Sequence, residues 1–208
     1  MSPQHFDFKV VVAGPFAAGK TTLIRAISDD IVGTEAPTSG VEAAVKATTT
    51  VGMEYGTLRT STPDFTAELN VYGVPGQRRF EFMWDIVGIG MDGLFLLVDA
   101  TRPETWTESR AVGEYLQHVR PAPVLVGVNR AVDAPDLLEE VRGVVDLPHA
   151  GYCALDVVDR NQVRHAMVEL LGMVLDDLGD ELEDEFDDAD EDFDEFEDHE
   201  LPSTHSQR

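Results

Sequence analysis

The feature that most constrains this chain is one eight-residue stretch, Gly14-Pro15-Phe16-Ala17-Ala18-Gly19-Lys20-Thr21, which fits G-x-x-x-x-G-K-[ST]. Before it, Phe6 to Ala13 is a compact β-branched and apolar run. After it, Thr21 to Ile31 places Leu23, Ile24, Ile27 and Ile31 at helical spacing. A strand, a glycine-bearing loop and a helix in that order bring successive N–H groups together at the head of the helix. Those amides form an anion nest, the helix dipole adds positive potential, and glycine lets the backbone come close. Gly14, Phe16, Ala17, Ala18 and Gly19 supply the main chain of this cradle. Lys20 is spaced to reach the outer phosphates of a nucleotide, and Thr21 to offer its hydroxyl to a magnesium ion bridging them. Thr22 ends the segment, with helix packing as its other reading.

The remainder alternates strands with helices. Val51 to Thr60 and Phe65 to Gly73 read as a hairpin around the turn residues Ser61 to Asp64. Gly93 to Val98 and Pro123 to Val128 are continuous apolar runs, suited to strands covered on both faces, and Gly151 to Leu155 is a last short strand. Helical spacing appears over Pro103 to Val119, Asp136 to Arg142 and Arg160 to about Asp177. Residues 32 to 50 lack an apolar period and read as a long functional loop with a short helix at 41 to 47; residues after Pro75-Gly76 read as irregular up to Gly90. The pattern predicts an α/β fold of the P-loop NTPase type: a mostly parallel central sheet, one antiparallel edge strand, and helices on both faces.

A net charge of −25 on 208 residues narrows the partners. Residues 1–175 hold 23 acidic and 14 basic side chains, whereas residues 176–208 hold 17 and one, so most of the excess is local. Polyphosphate backbones would be repelled, which excludes general nucleic-acid binding. The expected division is a nucleotide-binding domain over 1–178 and an acidic, disordered tail over 179–208, because like charges with few apolar residues cannot offset the entropy of ordering. The tail reads as solubilising, or as a segment whose Leu178, Leu182, Phe186, Phe193 and Phe196 dock on a basic groove. With Cys153 alone, no internal disulfide forms, and no apolar run approaches the roughly 20 residues of a membrane span. The expected location is cytoplasmic, with no direct membrane insertion and membrane contact only through partners. The six histidines show no spacing that suggests metal ligation.

The order of elements, with Gly76-Gln77 after the hairpin and Asn129 after an apolar strand, resembles the Ras-like small GTPases. More narrowly, it is similar to the prokaryotic conservon-type and gliding-motility (MglA-like) members, over residues 6 to about 175. The resemblance implies GTP/GDP and Mg2+ as cofactors, with a switch-loop threonine sensing the outer phosphate through the metal. Thr50, directly before the strand and preceded by Thr48 and Thr49, is the matching position; its other reading is a β-edge threonine without a ligand role. The family's second switch usually reads Asp-x-x-Gly-Gln, and here it reads Gly73-Val74-Pro75-Gly76-Gln77. Gly76 is expected to present its N–H to the phosphate and Gln77 to orient the attacking water, but the acid that helps hold magnesium is missing. Asp99 fits a generic strand-end acid near the metal, or a structural acid. Arg78 and Arg79 offer cationic help at the transition state, or a solvated pair. Phe16 is often aromatic in the conservon type, where it crowds an incoming arginine.

Guanine selection in the family uses Asn-Lys-x-Asp. The chain has Asn129-Arg130-Ala131-Val132-Asp133, with the carboxylate one residue late, a displacement of up to ~3.5 Å unless the loop bulges. Asp133 has a second reading as the cap of the following helix. Asp156-Val157 matches the last base-contacting loop. The resemblance implies protein partners, among them Roadblock-type regulators and a sensor kinase system. The expected function is a GTP-binding switch with slow hydrolysis, Gln77 and Lys20 carrying the chemistry. The alternatives are a nucleotide-dependent scaffold with little turnover, and a P-loop ATPase or kinase.

Overall fold

The computed structural model describes residues 4–28, 35–37, 48–50, 53–63 and 65–194. The chain divides into two compact units, Met1–Val174 and Leu175–Arg208. In the first, six strands form one sheet: β1 (Gln4–Ala13), β4 (Glu54–Ser61), β5 (Phe65–Gly73), β6 (Gly93–Asp99), β7 (Val124–Asn129) and β8 (Gly151–Leu155), in the order β4-β5-β1-β6-β7-β8. Every neighbouring pair is parallel except β4 with β5, so the hairpin forms the antiparallel edge that the sequence pattern predicts. The remaining strands, β2 (Glu35–Pro37) and β3 (Thr48–Thr50), pair antiparallel in a small separate sheet. Their three-residue length is too short for a periodic signal, which is why residues 32 to 50 read as loop throughout. The helix expected at 41–47 lies outside the described residues.

Alternation along the central strands sends side chains to two covered faces. Val11, Ala13, Leu94, Leu96, Val98 and Val126 share a buried cluster with residues of α2 (Phe82–Gly88), α3 (Trp106–Val119) and α4 (Pro135–Val145). The opposite parity carries α1 (Lys20–Ile27) and the first part of α5 (Arg160–Asp194). There Ile24 abuts Gly73, and Leu170 and Val174 abut Gly93. Both faces of β6 and β7 are thus sealed, and their unbroken apolar runs are the consequence.

Two sequence expectations change. The stretch after Pro75 is not irregular: a 3-10 turn at Arg78–Phe80 leads into α2, whose Trp84 and Val87 are buried three residues apart. Seven residues make too short a period to read. The last helix continues to Asp194, past the end near Asp177 that its apolar stripe marks, since no proline interrupts it and Glu and Leu are good helix formers. The stripe itself, Val163, Met167, Leu170, Leu171 and Val174, is buried as its spacing predicts. Among the described residues no helix is long and apolar enough to cross a membrane.

Candidate functional site

The loop between β1 and α1 forms because β1 enters the sheet centre and its end has no room for a side chain. A Cβ on Gly14 would sit 2.2 Å from the Leu97 carbonyl oxygen on the adjacent strand, and Gly14 has φ of 140°. Ala17 follows with φ of 63° and Gly19 with φ of 114°. Three positive-φ residues within six positions bend the loop tightly, a turn conformation suited to an anion nest. The Ala18 N–H donates to the Pro15 carbonyl at 3.3 Å and the Leu23 N–H to Gly19 at 2.9 Å, closing the loop onto the helix start.

Lys20 is 8% exposed, and its ammonium donates to the carbonyls of Gly14 and Pro15, both at 2.8 Å. The side chain therefore folds back over its own loop, with its charge held at the cradle's mouth. Gly76 lies directly against this point: a Cβ there would fall 2.6 Å from the Lys20 Nζ, 2.6 Å from the Pro15 carbonyl carbon and 2.7 Å from the Phe16 nitrogen. Only glycine permits this approach, so the loop after β5 and the cradle are in contact at the lysine. Trp84 ties α2 to the same loop, its indole N–H donating to the Pro75 carbonyl at 3.2 Å.

Gln77, beside Gly76, is 4% exposed, and its side-chain oxygen accepts from the Arg79 guanidinium at 2.7 Å. Of the two arginines named from sequence, Arg79 thus acts within its own loop. The Phe16 carbonyl accepts from Arg102 at 2.8 Å, a contact across 86 residues that nothing in the sequence signals. Thr21 is half-buried, whereas Thr22 is exposed, one helical step off Thr21's face. Thr50 ends β3, and its side chain lies outside the described residues.

On the other flank, Asn129 at the end of β7 joins three loops. Its Nδ2 donates to the Ala18 carbonyl at 3.1 Å, and its Oδ1 accepts from the Val157 N–H at 3.3 Å. This buried amide holds the cradle and the 156–159 turn in register, which explains why an asparagine ends an apolar strand. Asp156 shapes that turn, its carboxylate accepting from the Val158 N–H at 3.1 Å. Arg130, with φ of 66°, pairs with the Asp99 carboxylate. That carboxylate also accepts from the Thr101 N–H and hydroxyl at 3.0 and 2.7 Å, so Asp99 is structural. Asp133 is exposed inside a tight turn closed by the Ala134 N–H on the Ala131 carbonyl at 3.0 Å. The cap of α4 is Ala134, so Asp133 does not take that alternative role.

The structure thus gathers Gly14, Phe16 to Thr21, Gly76, Asn129 and Val157 at the carboxyl ends of β1, β5, β7 and β8. That is where ligands bind in open α/β sheets. Two groupings escaped sequence reasoning. His5, Asp7 and Glu68 converge within 4.8 Å at the far end of β1, because β1 and β5 pair Asp7 with Glu68. Glu68 is already engaged by Arg59. Glu54, 4% exposed, is the other. Its signal was parity: it shares an inward face with Gly56 and Leu58.

Fold and loop together define an α/β protein with the architecture of the P-loop GTPases. No family model matches the chain. Among curated proteins it is similar to the Ras-related protein RABC2a of Arabidopsis thaliana, 29% identical over 51% of this chain and 45% of the relative. It is also similar to ADP-ribosylation factor-like protein 3 of Caenorhabditis elegans, at 26% over 62% and 64%. A third relative, Ras-related protein RABA1c of Arabidopsis thaliana, is 21% identical over 80% and 74%. The chain spans about half to two thirds of the length of the first two. These are distant similarities to Ras-related and ADP-ribosylation factor-like proteins.

Proposed function

We propose that the chain is a GTP-binding molecular switch of the conservon and gliding-motility type, with slow magnesium-dependent hydrolysis, signalling to protein partners. The observation that carries this reading is the contact of Gly76 with Lys20 and the Pro15-Phe16 backbone. A loop packed on the lysine of a phosphate cradle is positioned to respond when the outermost phosphate arrives or leaves.

The residues divide the work. The amides of the 14–21 loop and the head of α1 hold the phosphates, and the Lys20 ammonium neutralises their outer oxygens. A magnesium ion would supply charge screening for those oxygens. Oxygen donors suit it, and Thr21 with Thr50 would hold it. Asn129 sets the base-side loops, with Arg130, Asp133, Asp156 and Val157 around the guanine. Gln77 would orient the attacking water, but its amide is bonded to Arg79. That bond must break for turnover, so intrinsic hydrolysis is slow.

Trp84 conveys movement of the Pro75-Gly76 loop to α2, which presents Phe82 and Ile86, 62% and 65% exposed, one turn apart. An apolar pair on a nucleotide-sensing helix is a surface for a protein partner, by resemblance a Roadblock-type regulator or a component of a sensor kinase system. The protein works in the cytoplasm and meets membranes through such partners. The acidic segment 179–208 is a separate region outside the 1–178 domain.

A nucleotide-dependent scaffold is the second reading, favoured by the Gln77–Arg79 bond and by Gly73 where an acid is usual. Single-turnover hydrolysis of labelled GTP separates the two. Slow release of phosphate that Gln77→Leu abolishes supports the switch, and no release with or without partner supports the scaffold. Excess ATP displacing labelled GTP as well as unlabelled GTP does would defeat the guanine assignment.

A further inference from the structure

The position that should carry the magnesium-side acid is a glycine packed against α1 and β4. A Cβ on Gly73 would lie 2.4 Å from the Ile24 Cδ1, an overlap with a fully buried isoleucine of α1. The same Cβ would lie 3.3 Å from the Glu54 Oε2 and 3.4 Å from the Glu54 Cβ. Glu54 is the direct antiparallel partner of Gly73, at the first position of β4. A carboxylate therefore borders the volume that an acid at 73 would enter, delivered from the next strand.

Its direction follows from the pleat. Glu54, Gly56 and Leu58 face inward, and a Cβ on Gly56 would touch Ser28 and Ile24 at 2.9 and 3.0 Å, so this face bears on α1. Ile24 lies three residues after Thr21, on the same side of that helix. At the other end of the segment leaving β5, Gly76 meets the Lys20 ammonium. Glu54 is thus flanked by the helix that carries the Thr21 hydroxyl and by the strand that leads to the phosphate-sensing loop. Magnesium takes one or two carboxylates together with phosphate oxygens and waters.

We infer that Glu54 replaces the missing acid: its carboxylate positions the magnesium of the nucleotide site, directly or through a bound water, in place of a side chain at Gly73. This rests on the nucleotide-binding reading above. Glu54 is a positioning residue.

The test loads the full chain with a fluorescent GDP analogue and follows its release as free magnesium is varied. Wild type, Glu54→Gln and Lys20→Ala are compared. Glu54→Gln should raise the magnesium concentration that half-suppresses release by about tenfold or more, while release in excess EDTA stays as in wild type. An unchanged magnesium midpoint overturns the inference, as does faster release in EDTA with the midpoint unmoved, which marks a merely structural role. Should the glutamine variant fail to fold, Glu54→Asp keeps the charge on a shorter stem. A raised midpoint then supports the assignment, and an unmoved one overturns it. Wild type that retains no more analogue than Lys20→Ala would defeat the nucleotide reading itself, and the role of Glu54 with it. That outcome is distinct from retention without magnesium coupling.

Discussion

The two flanks of the site are built on opposite plans. At the proposed phosphate flank the work is done by main chain: Gly14 and Gly76 leave no room for side chains, and one lysine closes the loop on itself. At the proposed base flank a single side-chain amide, Asn129, joins the cradle to the 156–159 turn, and Arg130 and Asp133 stand exposed to solvent. A cradle made of backbone depends on what is absent from the sequence, namely Cβ atoms.

The largest expected effect breaks the first plan. Gly14→Ala forces a Cβ into the Leu97 carbonyl at a backbone angle that disfavours L residues, costing on the order of 3 kcal/mol in thermal or denaturant unfolding and abolishing nucleotide retention. Lys20→Ala leaves the fold intact and lowers nucleotide affinity by about 100-fold, because charged hydrogen bonds to the loop and to phosphate go together; equilibrium titration checks it.

The second plan gives smaller losses. Asn129→Ala leaves the Ala18 carbonyl and the Val157 N–H without their buried partner. It should cost about 2 kcal/mol of stability and weaken nucleotide binding about tenfold. Asp133→Ala should leave folding unchanged and lower the preference for GTP over ATP by about tenfold in competition. Unchanged preference would mean that the turn holds its carboxylate away from the base.

The smallest effect concerns a residue outside both flanks. Burial, with a lesser contribution from the Glu169 charge, pushes the Cys153 thiol up to about 12 from its usual 9.0. Native protein at pH 8 should therefore resist iodoacetamide and react only on unfolding. Because the folded state holds this proton more tightly, its contribution to stability is complete below pH 9 and falls as pH rises from 9 towards 12. Cys153→Ser should remove that part of the alkaline decline.

The contrast between the flanks also explains what could be read in advance. The cradle was legible because glycines and a lysine at fixed spacing have few other uses between a strand and a helix, and the apolar runs of β6 and β7 declared a doubly covered sheet. Asn129 was visible as a polar residue closing such a run. Short elements were not: β2, β3 and α2 are three to seven residues long, less than a period needs. Contacts between distant segments left no trace either. Arg102 on the Phe16 carbonyl, and Glu54 beside Gly73, depend on strand order and register, which no local pattern encodes. The gap at Gly73 was legible in sequence as a missing acid, and its complement at Glu54 only in space.

The most direct test of the central claim is to purify the full chain, denature it, and identify the released small molecule by chromatography. The account predicts GDP or GTP in near one-to-one ratio with wild-type protein and none with Lys20→Ala. Adenine nucleotide in its place, or equal yields from both proteins, would contradict it.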